Sequence, residues 1–224
     1  MNTSGLARTL RLGTAGLVLA AAAGCSTLVP KAPPQPTFYA LDSAPPAASA
    51  PARGASAAAT NGPTLIVNPP QAAAGFDSRR IIYVRQPQQL EYFAHSEWVD
   101  TPARMLAPLI VASVESGGGW RAVVQTPSVA AADMRLDTEI LRLQQEFGAP
   151  PSQVRFTLRA TLVDNATRRV LAGREFDATI ASASEDTYGG VVAAHRAVQV
   201  VLVQLAAFCA DAARHWQSAP AARP

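Results

Sequence analysis

Three histidines, His95, His195 and His215, and two cysteines, Cys25 and Cys209, are the side chains best suited to hold a metal or act as nucleophiles. Their spacing argues against both. No histidine has another histidine or a cysteine two to four residues away, the separation that brings two ligands onto one zinc ion. No serine sits in a G-x-S-x-G turn, so there is no nucleophile elbow. Gly117, Gly118 and Gly119 are followed by Trp120 and Arg121 rather than by the Gly-Lys-Ser/Thr of a phosphate loop, and are expected to stop a helix. Carboxylates come in pairs, Asp137 with Glu139 and Glu185 with Asp186, but neither pair neighbours a recognisable base or nucleophile. A period of two sets Asp137 and Glu139 on one solvated strand face. Glu185 and Asp186 suit the positive N-terminal end of the helix that follows them. His195 falls near an apolar stripe and is expected to be a core or boundary histidine rather than a ligand. The inventory points to no enzyme: no catalytic residue, no metal site and no cofactor are expected.

The cysteine with a chemical context is Cys25. Arg8 and Arg11 form a positive start, Leu12 to Ala23 is an uncharged run of signal-peptide length, and small residues lead through Ala22, Ala23 and Gly24 to Cys25. The run is too short to span a bilayer, which takes ~20 apolar residues. This pattern resembles the bacterial lipobox, whose cysteine is lipidated and becomes the first residue of the mature protein. It departs from the preferred leucine three places before the cysteine, where Ala22 stands. The resemblance implies that residues 1–24 are a cleaved signal peptide. It also implies that Cys25 carries diacylglycerol and acyl (palmitate) chains, each methylene contributing ~0.8 kcal/mol to membrane retention. Ser26 at the next position, in place of aspartate, implies sorting to the outer membrane, with the domain on its periplasmic face. Cys209 is then left with no partner within the chain and is expected to pack as a small apolar residue.

Around this address the composition describes one domain with attachments. The chain has 224 residues, 49% of them hydrophobic but only 6% aromatic, so the core is mostly aliphatic. Basic residues outnumber acidic ones 19 to 16, and without Arg8 and Arg11 the count is 17 against 16, a net charge of +1. That balance gives no basic stripe for nucleic acid. Residues 25–36 read as a Pro-rich lipidated tether, residues 37–216 as the domain, residues 43–63 as a disordered loop within it and residues 217–224 as a disordered tail.

Within the domain, "TFYAL" reads as an edge strand carrying Phe38, Tyr39 and Leu41, and "TLIVNPP" as a strand stopped by Pro69 and Pro70. Ile81 to Arg85 and Leu90 to Ala94 form a hairpin, bent near Gln86 and Pro87. A helix begins at Asp100 or Thr101 with Pro102 in its first turn, buries Met105, Leu106, Leu109, Ile110 and Val114, and is expected to kink at Pro108. "WRAVVQ" is a short strand. Residues 133–147 fit helix or strand: Met134, Leu136 and Ile140 keep a period of two, and Leu141 and Leu143 then change face as after a bulge. Val154, Phe156, Leu158, Ala160 and Leu162 alternate inward on a strand whose partner returns after a turn at Asp164 and Asn165. A long helix over 190–216 buries Val191, Val198, Leu202, Leu205 and Cys209. The sum is an α/β fold: one compact domain, a mixed β-sheet with two main helices packed on it.

One cluster stands apart. Phe76, Arg79, Arg80, Tyr83, Arg85, Tyr92, Phe93 and Trp98 gather aromatics and arginines within residues 76–98. Such residues are enriched where proteins bind one another. Alternation along the strands would equally send some of them into the core and leave the rest as ordinary surface.

The segments "FYAL", "GFDSRRIIYVRQPQQLEYFAHSEWVDTPARML", "VRFTLRATLVD" and "REFDATIASASEDTYGGVVAAHRAV" are similar to those of the ABC-type transport auxiliary lipoprotein family, in particular its PqiC-like group. The likeness covers roughly residues 36–212 and carries no catalytic motif. It implies a lipoprotein that docks a periplasmic MCE-domain (mammalian cell entry) protein of an ABC transporter moving phospholipids or other hydrophobic molecules. It also allows a homo-oligomer. The alternative is a carrier that holds an acyl chain in its own groove, which requires an apolar pocket of a few hundred Å3.

Overall fold

The longest alternating stretches build the scaffold. In the computed structural model, β7 (Met134–Glu146), β8 (Gln153–Asp164) and β9 (Val170–Ala181) form an antiparallel meander. Val154, Phe156, Leu158, Ala160 and Leu162 of β8 are each no more than 2% exposed. Burying a Leu or Phe of this kind contributes about 1.5–3 kcal/mol. The ambiguous segment is therefore a strand: Met134, Leu136 and Ile140 are fully buried on one face. A bulge between Ile140 and Arg142 then carries Leu143 and Gln145 into the interior. Residues 35–41 and 61–218 are described, and all but Gln35 belong to one compact unit. The signal segment, Cys25, the tether through residue 34, residues 42–60 and the tail from residue 219 lie outside the described residues.

One edge of β7 pairs with β8 throughout; the other edge is lined by three short strands laid end to end. β2 (Thr64–Val67), β3 (Gln71–Ala72) and β4 (Arg80–Val84) pair parallel with β7 in turn, from its start to its end. Pro69 and Pro70 break the run, since proline supplies no N–H to a ladder, and the two-residue β3 follows them. β6 (Ala122–Gln125) adds parallel to β2, β5 (Glu91–Trp98) antiparallel to β4, and β1 (Thr37–Tyr39) parallel to β5 at the sheet's edge. This is the mixed sheet and the hairpin expected, with "TFYAL" as the edge strand.

The helices α1 (Pro102–Gly117) and α2 (Thr187–Ser218) share one hydrophobic core with the inward rows of β7 and β8. α1 starts after Thr101, with Pro102 in its first turn, and runs unbroken through the exposed Pro108. A positive φ at Gly118 (74°) and Gly119 (85°) ends it, a conformation that glycine adopts at little cost. The two helices meet closely: Ser113 Oγ donates to Leu202 O (2.8 Å), and a side chain at Gly117 would meet Ala206.

By length and composition α2 could cross a membrane, but half of its most apolar window is buried within the protein. Val191, Val198, Leu202, Leu205 and Cys209 face the core, and Arg196, Gln199 and Arg214 are exposed. Burial pushes the Cys209 thiol up to about 12, so it stays protonated and packs as an apolar group. Asp186 caps the helix by accepting from Gly189 N (2.8 Å) and Ser184 Oγ (2.6 Å). Those bonds hold its carboxyl below the ordinary value. Beneath the cap, Gln145 Nε2 donates to Ser152 Oγ (2.9 Å), and its amide oxygen would collide with any Cβ at Gly190. Only glycine admits that side chain to the helix start.

Candidate partner-docking surface

The flank β1–β5–β4 carries most of the arginine and aromatic cluster. β4 is held between β7 and β5, and its pairing with β5 loses register between Arg80 and Ile82. The irregularity gives β5 more residues than β4 can pair, and several stay outside the core. Arg79 anchors the far end: its N–H at Nε donates to Trp98 O (3.1 Å), and Trp98 N donates back to Arg79 O (2.7 Å). Its guanidinium also lies 5.2 Å from the centre of the Phe38 ring and 3.5 Å from Glu97. Arg80 stacks over Tyr92 at 4.1 Å and Arg85 over Tyr83 at 5.0 Å. Each such stack at an exposed site contributes ~0.5–1 kcal/mol. Together they fix three arginines in place on a surface where long side chains would otherwise be free.

Tyr83 is the hub of a second row. Its ring contacts Phe93 (4.7 Å between centres) and Phe147 (5.8 Å, edge-on), and its hydroxyl donates to Glu91 (2.9 Å). The bond to Glu91, with some loss of hydration, raises the phenol above its ordinary value against the pull of Arg85. Phe38 and Tyr92 remain about half exposed, at 51% and 50%. Three guanidinium groups face two carboxylates, Glu91 and Glu97, leaving the flank with an excess of one positive charge.

Six of the eight residues picked out in the sequence therefore lie on this flank or at its margin: Arg79, Arg80, Tyr83, Arg85, Tyr92 and Phe93. Trp98 (3% exposed) is a core residue at the end of β5, and Phe76 (9%) is buried. Phe38 and Phe147 join the cluster from outside the 76–98 window. Phe38 arrives through β1, whose pairing with β5 spans more than fifty residues of sequence and leaves no local signal.

The other candidates do not converge. His95 is exposed on β5, His195 Nε2 lies 2.7 Å from Ala40 O at the β1–α2 boundary, and His215 lies 2.9 Å from Asp211 O. Asp137 and Glu139 share the open sheet face as expected. Asp137 accepts from Arg135 and Asn68, and Glu139 from Arg159, which also meets Glu175. Partial burial works against ionisation of Asp177, but Arg155 and Thr157 donate to it and hold it below its ordinary value. Among the described residues no group of three or more His, Cys, Asp and Glu could hold a metal. What this arrangement offers is a weakly cationic, aromatic surface of stacked side chains suited to binding.

The family model described as ABC-type transport auxiliary lipoprotein component matches residues 39–206. The chain belongs to that family. The match opens in β1 and closes in α2, so it takes in β2 to β9, α1, α2 as far as Ala206, and the flank except Thr37 and Phe38. The family description names a transport component. Protein XCC0632 of Xanthomonas campestris shares the fold at 25% identity with a TM-score of 0.65, over 70% of this chain and 89% of that one. An uncharacterized protein of known structure superposes with a TM-score of 0.55 at 14% identity, over 81% of this chain and 99% of that one. The PelC dodecamer of Paraburkholderia phytofirmans gives a TM-score of 0.41 at 15% identity, over 67% of this chain and 91% of that one. No curated protein matches the chain.

Proposed function

We propose that this auxiliary lipoprotein is the outer-membrane docking component of an ABC system that moves lipids or other hydrophobic molecules across the periplasm. Cys25 carries the acyl chains that hold it on the periplasmic face of the outer membrane. The Pro-rich tether that follows reaches about 35 Å at ~3.1 Å per residue, enough to let the domain work away from the bilayer. The Arg–aromatic flank meets an MCE-domain protein of the transporter. One observation carries the reading: the family match spans a domain in which, among the described residues, ordered arginines and half-exposed aromatics gather on this flank. Such a surface supplies the rigid anchors from which most interface energy comes.

The test is affinity purification of the lipidated chain from its native envelope, with co-purifying proteins identified by mass spectrometry. An MCE-domain protein among the specific partners is the expected result; its consistent absence contradicts the reading. In parallel, Cys25→Ala is expected to move the chain out of the outer-membrane fraction, and retention there would defeat the lipid anchor.

A further inference from the structure

At the end of β7 remote from the Arg–aromatic flank, β9 and α2 part. Met134, the first residue of β7, pairs with Asp164, the last of β8. Beside Asp164 lies a cleft of about 400 Å3 between the start of β9 and the last turns of α2. Leu171 and Ala172 form one wall; Phe208, Ala212 and Trp216 form the other.

Two features mark the cleft as built rather than left over. The first is a bulge. Leu162 pairs with Ala172 and Val163 with Val170, so Leu171 is the extra residue of β9. A bulge re-aims side chains, and here two consecutive residues line the same cleft. The second is a choice of small side chains. Phe208 stands edge-on to the buried Phe176, 5.7 Å between centres, and beyond this pair Ala172 and Ala212 leave room that larger residues would fill. Interiors otherwise pack to crystal-like density.

The carboxylates of the lining are engaged with the protein itself. Asp164 Oδ1 accepts from Thr167 N (2.7 Å), and Asp211 accepts from Arg214 (3.0 Å) and lies 3.5 Å from His215. That leaves the aliphatic and aromatic walls as the recognition element. We propose that the cleft holds a single hydrocarbon chain, supplied by a free fatty acid or a single-tailed phospholipid. If a methylene fills about the ~30 Å3 that a water takes in the liquid, the cleft accommodates roughly a dozen carbons of one chain and excludes a second. This site goes beyond the docking reading and needs nothing to bind at the flank.

The test is photolabelling of the full chain in lipid nanodiscs. The probes are palmitic acid carrying a chain diazirine and a lysophosphatidylethanolamine with the same chain. Saturable adducts are expected on the tryptic peptides 170–174, 197–214 and 215–224, competed by unlabelled palmitic acid. Labelling by either probe alone supports the site and fixes the source of the chain. Ala212→Trp fills the cleft and Leu171→Asp, at a half-exposed position, places a charge in its wall; each should cut the adducts by about tenfold or more with the circular dichroism spectrum unchanged. Labelling by neither probe, adducts spread over the surface without saturation, or full labelling in both folded variants would overturn the proposal. So would a clear rise in labelling when the chain is ended after Ser218, because the tail would then be the native occupant.

Discussion

The β7–β8–β9 meander and the β1–β5–β4 flank use the same strand-forming residues and spend them differently. In the meander, strands of 12 or 13 residues pair along nearly their whole length with one short bulge in each pairing, and the inward rows of β7 and β8 are sealed from water. In the flank the strands have 3, 8 and 5 residues, register breaks once, and Phe38 and Tyr92 stay half exposed under stacked guanidiniums. The meander fixes the shape of the domain. The flank is an addition at one end of it, and its aromatics are held by arginines instead of by a core. A region that keeps large side chains ordered at the surface, when packing them inside would be more stabilising, is where binding is expected.

Substitutions can break or sharpen this contrast. The largest effect belongs to the meander. Leu158→Ala, at a fully buried position, should cost about 2–5 kcal/mol of stability, read as a shift in the urea midpoint; a change below 1 kcal/mol would mean that the inward row is not the scaffold. Gly190→Ala comes next. Its Cβ displaces the Gln145 amide from its bonds with Ser152 and Ser182, and an unsatisfied buried polar group costs about 1–3 kcal/mol. Chemical denaturation measures this as well, and an unchanged midpoint would contradict the buried knot. The smallest effect is at the α2 cap. The Asp186 carboxyl is held below its ordinary 3.8, so the stability it adds is present above that value and lost as pH falls through the lowered one. The difference in melting temperature between the protein and Asp186→Asn should therefore shrink as pH drops below 3.8; a pH-independent difference would remove the carboxylate from the cap.

β7 was legible only in part: its period of two ends at the bulge after Ile140, so residues 133–147 fitted helix or strand until the pairing with β8 decided between them. The β8–β9 hairpin was legible because a period of two runs through β8 up to the turn at Asp164 and Asn165. The long helix was equally plain, and its start at Thr187 lies three residues before the expected 190 because Asp186 caps it. β3 was not legible, since two residues after a proline pair carry no periodicity. At the flank, the sequence gathered arginines that share one surface but could not separate Trp98 and Phe76, which are buried, from Tyr92, which is not. That sorting depends on the register break between β4 and β5 and on β1, and both are set by distant pairing. The cleft beside Trp216 left still less trace, because its shape comes from two alanines and a bulge that only the fold brings together.

The central claim is that the flank serves a partner and not the fold. Co-purification of the MCE-domain protein by the double variant Arg79→Glu, Arg80→Glu, compared with the unaltered chain at equal expression and with melting temperatures recorded, tests it most directly. Recovery should fall by about tenfold or more, the scale of losing a hot-spot contact, while the melting temperature drops by only the few °C that the lost stacks and the Trp98 bond account for. Full recovery with a folded variant, or loss of recovery only alongside loss of folding, would contradict it.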